Sequence, residues 1–178
     1  MKHDDKTPVI RLRAMEPEDL DMLYTVENDM EHWASGTTNV PYSRYILHDY
    51  MSTVTGDIYA DRQVRLIIES CSTGETVGMI DLVNFNPRHR RAELSIIIRK
   101  EMRRQGYATL AVRDVIDYVY RILHLHQLYA VVAKDNDGAV ALFRRAGFDA
   151  CCELKDWLYD GEKYKNALVM QFFCKKGA

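Results

Sequence analysis

No apolar run in the 178-residue chain reaches the roughly 18 residues of a membrane-spanning helix. The opening MKHDDKTPVIRLR has no apolar core of the secretory kind, so a cytoplasmic location without a membrane partner is expected. Prolines number only four, and no Pro- or Gly-rich stretch separates two halves. One domain over residues 1–178 is therefore expected. Neither G-x-x-x-x-G-K-[ST] nor G-x-G-x-x-G occurs, which excludes a Walker loop and a dinucleotide fingerprint. The four cysteines, Cys71, Cys151, Cys152 and Cys174, lack metal-ligand spacing, and neighbours Cys151 and Cys152 are poorly placed to pair with each other. All four read as reduced and mostly structural. Excess charge of one sign is also missing, since 24 Lys and Arg meet 26 Asp and Glu. That balance argues against a nucleic-acid partner, although basic residues cluster at Arg88, Arg90 and Arg91 and again at Arg99, Lys100, Arg103 and Arg104.

What is present suits a packed core: 47% of residues are hydrophobic. Residues 9–13 (VIRLR) alternate as a strand does. Residues 16–29 place Leu20, Leu23, Tyr24 and Glu27 at helical spacing, behind acids that suit a helix start. Residues 30–41 look irregular, and residues 42–54 predict a second helix with Tyr45, Ile46, Tyr50 and Met51 on one face. Residues 64–70, 76–85 and 91–100 read as a strand meander with turns at CSTGE and NPRHR. From 106 to 123 the period becomes helical, with Leu110, Val112, Ile116, Val119 and Ile122 as its apolar set. Residues 127–133 (QLYAVVA) form an apolar strand of the central-sheet kind. Residues 136–148 predict a short helix closed by Gly147, and strands follow near 150–154 and 166–173. The order β-α-α-β-β-β-α-β-α-β-β demands an α/β domain with a mixed sheet and helices on both faces.

Two segments carry chemistry. Between a strand and a helix stands MRRQGYAT, residues 102–109. Helix starts expose unpaired amides and a partial positive charge, and a glycine lets backbone approach a bulky anion. Arg103, Arg104 and Gln105 add donors at the mouth of a candidate pyrophosphate cradle. A solvated, capped turn fits the same residues equally well. In the second segment, VVAKDNDGAVALFRRAGF, Ala139 and Phe143 share a helix face after Asn136. Alone, that is a core helix.

Together the two segments resemble the GCN5-related N-acetyltransferase (GNAT) superfamily. Its loop pattern R/Q-x-x-G-x-G/A reads here Arg103-Arg104-Gln105-Gly106-Tyr107-Ala108, followed at the right distance by an Asn-x-x-Ala helix and A-G-F. Within that superfamily RLRAMEPEDL, HRRAELSIII, RRQGYAT and YDGEKYKNALVM are similar to bacterial spermidine N-acetyltransferases; the ribosomal-protein group is a looser match. The resemblance implies a mostly antiparallel sheet with one splayed strand pair. It implies acetyl-CoA as co-substrate, no required metal, and a homo-oligomer. Coenzyme contacts would fall on Ser95, Ile96, Ile97 and Ile98, on Arg103, Arg104, Gln105, Gly106, Tyr107, Ala108 and Thr109, and on Asn136, Ala139, Phe143 and Arg144.

The acceptor side needs other groups. A primary ammonium has a pKa near ~10 and must lose a proton before attacking a thioester. A carboxylate can relay that proton, directly or through water. Glu93, early in the strand before the loop, is the expected catalytic and substrate-binding carboxylate, with Asp81 and Tyr42 as further substrate contacts. The family's helical tyrosine, a thiolate acid, is replaced by Phe143, which has no proton to donate. Tyr129, Tyr107 and Tyr164 are candidate replacements. Asn39, Val40, Ser43 and Asn84 stand where the spermidine enzymes carry acids, which puts a regulatory polyamine site in doubt. The acceptor is thus expected to be a polyamine such as spermidine or, alternatively, a protein amine. A coenzyme-A-binding regulatory module is the rival from another class, and an interaction domain that binds no acyl-CoA is a third.

Overall fold

The computed structural model describes residues 8–30 and 40–174. Strand β1 (Ile10–Arg13) leads through a 3-10 turn, Pro17–Asp19, into α1 (Leu20–Glu27). Helices α2 (Arg44–Thr53) and α3 (Ile58–Asp61) precede the meander β2 (Val64–Ser70), β3 (Thr76–Asn86) and β4 (Arg91–Ile98). Helix α4 (Tyr107–Arg121), β5 (Gln127–Ala133), α5 (Asp137–Arg145), β6 (Asp149–Tyr159) and β7 (Tyr164–Phe173) follow. Seven strands form one sheet in the order β1-β2-β3-β4-β5-β7-β6. Every pairing is antiparallel except β4 with β5.

Alternating side chains send the two faces of the sheet into different cores. On one face Ile80, Leu82, Leu94, Leu128 and Met170 pack with Val112, Val115 and Val119 of α4 and Leu142 and Phe143 of α5. On the other, Ile67 and Met79 meet Leu23 and Val26 of α1 and Leu47 of α2. Gly78 is obligatory in β3. A Cβ there would stand 2.1 Å from the Ile97 carbonyl oxygen and 3.0 Å from Ile98 Cα.

Several local expectations shift. Helix α2 starts at Arg44 because Ser43 caps it, accepting from the Ile46 N–H at 3.2 Å. Its inward residues are Leu47, Tyr50 and Met51, while Tyr45 and Ile46 are exposed. The buried stripe of α4 is Tyr107, Ala111, Val112, Val115 and Val119, and Ile122 lies beyond the helix end, exposed. Short α3 has no counterpart in the sequence pattern; four residues are too few to show a period. Strand β6 runs past Leu154 to Tyr159 by absorbing two register shifts against β7. The irregular stretch expected at 30–41 falls mostly outside the described residues. No helix among those described is long and apolar enough to cross a membrane.

Candidate active site

Strands β4 and β5 pair at only three positions, Arg91 with Gln127, Ala92 with Leu128 and Glu93 with Tyr129. Beyond that point β4 stays with β3 as far as Ile98, and β5 stays with β7 as far as Ala133. The sheet therefore forks, and the inner edges of both strands are left without each other. Backbone direction along β4 follows from one bond. The Arg99 N–H donates to Val77 O at 3.0 Å, so Arg99, Ile97 and Ser95 face β3. Alternation then turns the Leu94 C=O and the backbone of Ile96 and Ile98 toward the fork, while the Leu94 N–H belongs to the last β4–β5 pair and the Ile98 C=O accepts from Arg103. Of the four residues expected to line a coenzyme arm, Ile96 and Ile98 turn backbone toward the fork, and Ser95 and Ile97 turn theirs toward β3.

The loop at the open end is built from its own contacts. Arg103 Nε donates to Ile98 O at 3.0 Å, and Gln105 Nε2 to Glu101 O at 3.0 Å. Arg99 bonds Thr76 O at 2.8 Å and pairs with Glu101. Arg104 is exposed and holds a left-handed φ of 64°, and Gly106 has φ 89°. Gly106 is thus required by backbone conformation more than by space, since the nearest atom to an added methyl would be Pro8 Cγ at 3.8 Å. No side chain caps α4. The Thr109 N–H bonds back to Gly106 O at 3.1 Å, which leaves Tyr107 and Ala108 amides at the helix start directed outward. Tyr107 contributes backbone only, because its ring is buried in the main core.

On α5 the Asn136 side chain caps the helix, accepting from the Ala139 N–H at 3.1 Å. Ala139 is half-buried against the main core and Arg144 is exposed. Phe143 turns into the main core. It is 4% exposed and packs edge-on to Phe148 with ring centroids 5.0 Å apart. Its place is explained by seating the helix.

The acceptor candidates separate. Asp81 is buried, and Arg65 grips it with two bonds of 2.9 and 2.8 Å. The same guanidinium donates to Glu27 at 2.5 Å and lies over the Tyr50 ring. Burial acts to lower the Arg65 pKa, but the carboxylates of Asp81 and Glu27 outweigh it and raise the value. The charge of Asp81 is therefore internally compensated. Tyr42 is anchored by its backbone, its N–H donating to Asn28 Oδ1 at 2.8 Å and its C=O accepting from Asn28 Nδ2 at 3.0 Å. Glu93 sits in the last pair before the fork, half-buried, and accepts from Asn84 Nδ2 at 2.8 Å. A bulge between Val83 and Asn86 puts Asn84 there, with φ 51°. Tyr129 stands opposite Glu93 in the β4–β5 register, with both side chains on one face of the sheet. Burial first, and the Glu93 charge second, raise its pKa. The sequence carries no sign of this three-residue cluster, because a bulge and a parallel register create it. Among the described residues no group of three or more His, Cys, Asp or Glu gathers as a metal site.

Comparison with known proteins agrees with this geometry. Residues 10–149 match the acetyltransferase (GNAT) domain. The chain belongs to the GNAT acetyltransferases. It is 32% identical over 167 residues to the spermidine N(1)-acetyltransferase of Escherichia coli K12, covering 92% of this chain and 86% of that protein. It is 30% identical to the Vibrio cholerae spermidine N(1)-acetyltransferase, with 94% of each covered. The crystal structure of the Vibrio cholerae spermidine N-acetyltransferase in complex with CoA and spermine superposes with a TM-score of 0.81 at 27% identity, covering 92% of this chain and 95% of that one. The GNAT fold, with its mixed sheet and single parallel pair, is thereby shared.

Proposed function

We propose that this chain transfers the acetyl group of acetyl-CoA to a primary amine of a polyamine such as spermidine, by direct attack of the amine. The observation that carries the reading is the fork, with its row of backbone groups ending at an uncapped helix start. Extended chains bind such an edge by adding to the ladder, and an anion suits the helix start. The residues fit the coenzyme in both respects. Leu94, Ile96 and Ile98 would hold its extended arm, and the backbone from Arg103 to Thr109, with Arg104 at the rim, its pyrophosphate. When bound, acetyl-CoA supplies a thioester open to attack by an amine.

Glu93 would act on the acceptor. Asn84 fixes its carboxylate beside the point where β4 and β5 part. From there it attracts the substrate cation and takes the proton from the ammonium nitrogen, directly or through water. The Ile96 N–H, the first β4 amide without a β5 partner, would bond the acyl oxygen as charge develops on it. Asp81 would act indirectly, holding Arg65 away from Glu93, and Tyr42 would shape the α1/α2 side. The polyamine acceptor is supported by relatives named for spermidine and by the neighbour bound to spermine. A cytoplasmic single-domain protein assembled as a homo-oligomer completes the proposal; a dodecameric form of the Vibrio cholerae enzyme superposes with a TM-score of 0.78.

The test is acetyl-CoA-dependent release of thiol with a panel of polyamines and lysine peptides, wild type beside Glu93→Gln. Polyamines should turn over, and the variant should lose on the order of 10²-fold in kcat with coenzyme affinity kept. Tight coenzyme binding with no turnover of any amine would favour a coenzyme-A sensor instead.

A further inference from the structure

We propose that Tyr129 is the acid that protonates the departing thiolate, and that Glu93 recharges it. The last β4–β5 pair would then carry one proton from the amine to sulfur. This rests on the acetyl-transfer reading of the fork.

An acid for this step must reach the sulfur of a thioester held in the fork. The Leu94 N–H belongs to the last β4–β5 pair, so the first β4 groups open to the fork are the Leu94 C=O and the Ile96 N–H, and a thioester held there lies just past that pair. That pair is Glu93 and Tyr129, directly opposite each other. In a parallel ladder opposite residues project to the same face, so the two side chains are neighbours there. The other hydroxyl candidates are elsewhere. Tyr107 is buried in the core beneath α4, and Tyr164 is 64% exposed against Tyr159 at the far hairpin. Phe143 offers no hydroxyl and is buried. A phenol that remains protonated through neutral pH suits the task, and burial and Glu93 both act in that sense on Tyr129. The charged and polar groups that act on its hydroxyl are Glu93 and Arg91 of β4 and Asn84 of β3. On β7 its opposite residue is neutral Gln171.

Protons and electrons balance along this route. The ammonium first sheds one proton to solvent through Glu93, which returns to the carboxylate; the neutral amine nitrogen then gives a second proton to Glu93 as it forms the N–C bond. As the C–S bond breaks with its electron pair on sulfur, the Tyr129 hydroxyl proton passes to sulfur. The Glu93 proton then passes to the Tyr129 oxygen. Both residues finish as they began, and the products are an amide and a free thiol. No further reactant is needed.

Tyr129→Phe keeps the ring and its packing, so it separates the hydroxyl from the fold. We expect kcat to fall on the order of 10–100-fold while the dissociation constant for CoA stays unchanged. The double variant Glu93→Gln/Tyr129→Phe should be no slower than the worse single, as for residues acting as one unit. A second readout needs no turnover. In protein carrying 13C-labelled tyrosine, the Tyr129 ring should titrate above the usual ~10, and its midpoint should fall in Glu93→Gln. An unchanged kcat in Tyr129→Phe beside an active wild type overturns the relay and leaves the acetyltransferase reading intact. A Tyr129 midpoint indifferent to Glu93→Gln also overturns it. Failure of wild type with every amine overturns both.

Discussion

On the face covered by α4 and α5, Leu82, Leu94 and Leu128 pack against Val112, Val115 and Phe148, an apolar core. On the face covered by α1 and α2, Met79 and Ile67 give way within one strand repeat to Asp81 and Arg65. The two buried carboxylates among the described residues, Asp81 and Asp19, are both gripped by arginines, Arg65 and Arg13. The difference shows how a sheet can support a fold and admit a cation. One face is given to apolar burial. On the other, structural charges are cancelled in place, whereas Glu93 accepts from neutral Asn84, which suits the role proposed for it.

Breaking the cancellation should have the largest effect. Arg65→Met leaves the buried Asp81 carboxylate without its arginine and should cost about 3–5 kcal/mol in urea unfolding. Adding Asp81→Leu should recover more than half of that loss, whereas no recovery would mean that Arg65 matters through packing. On the apolar face, Leu82→Ala should cost roughly 2–5 kcal/mol through transfer and cavity terms. It should leave kcat unchanged at temperatures where the variant is folded, which an assay beside a melting curve would check. At the open end of the fork, Gly106→Ala forces a left-handed residue and should cost about 1–2 kcal/mol. It should also weaken CoA binding in calorimetry more than Arg104→Ala does, because the contacts proposed there are backbone ones.

The smallest effect lies away from both faces. Asp160 accepts from the Lys163 and Glu162 N–H groups and pairs with Lys165, which lowers its pKa to about 2. A carboxylate depressed below its unfolded value, near ~3.9, stabilises the hairpin above about pH 4. That support is lost as pH falls through about 2. Amide exchange at Glu162 and Lys163 should quicken in that window and not above it.

The coenzyme half is legible in the sequence because its signals are local. A glycine at φ 89° opening a helix, and an asparagine capping the next one, act over four residues and leave fixed spacings. The acceptor half is not, for a physical reason. Asn84 reaches Glu93 through a bulge, and Tyr129 reaches it through a parallel register between strands joined by a helix. Neither leaves a mark in a single strand's alternation. Asp81 looks like a free acid in the sequence for the same reason: Arg65 is its partner across β2 and β3, sixteen residues away. In α4, small Ala111 belongs to the buried stripe although it adds little hydrophobic signal.

Gly78 never meets the fork, yet it governs how wide the fork can be. β4 has β3 on one side and open space on the other. Any side chain at 78 would collide with the Ile97 carbonyl oxygen at 2.1 Å, and backbone cannot swing aside as a side chain can. On its other side the strand meets the fork, so a shift of β4 in that direction would narrow it. The hydrogen atom at that position is thus a clearance gauge, set on one strand for the gap beyond the next.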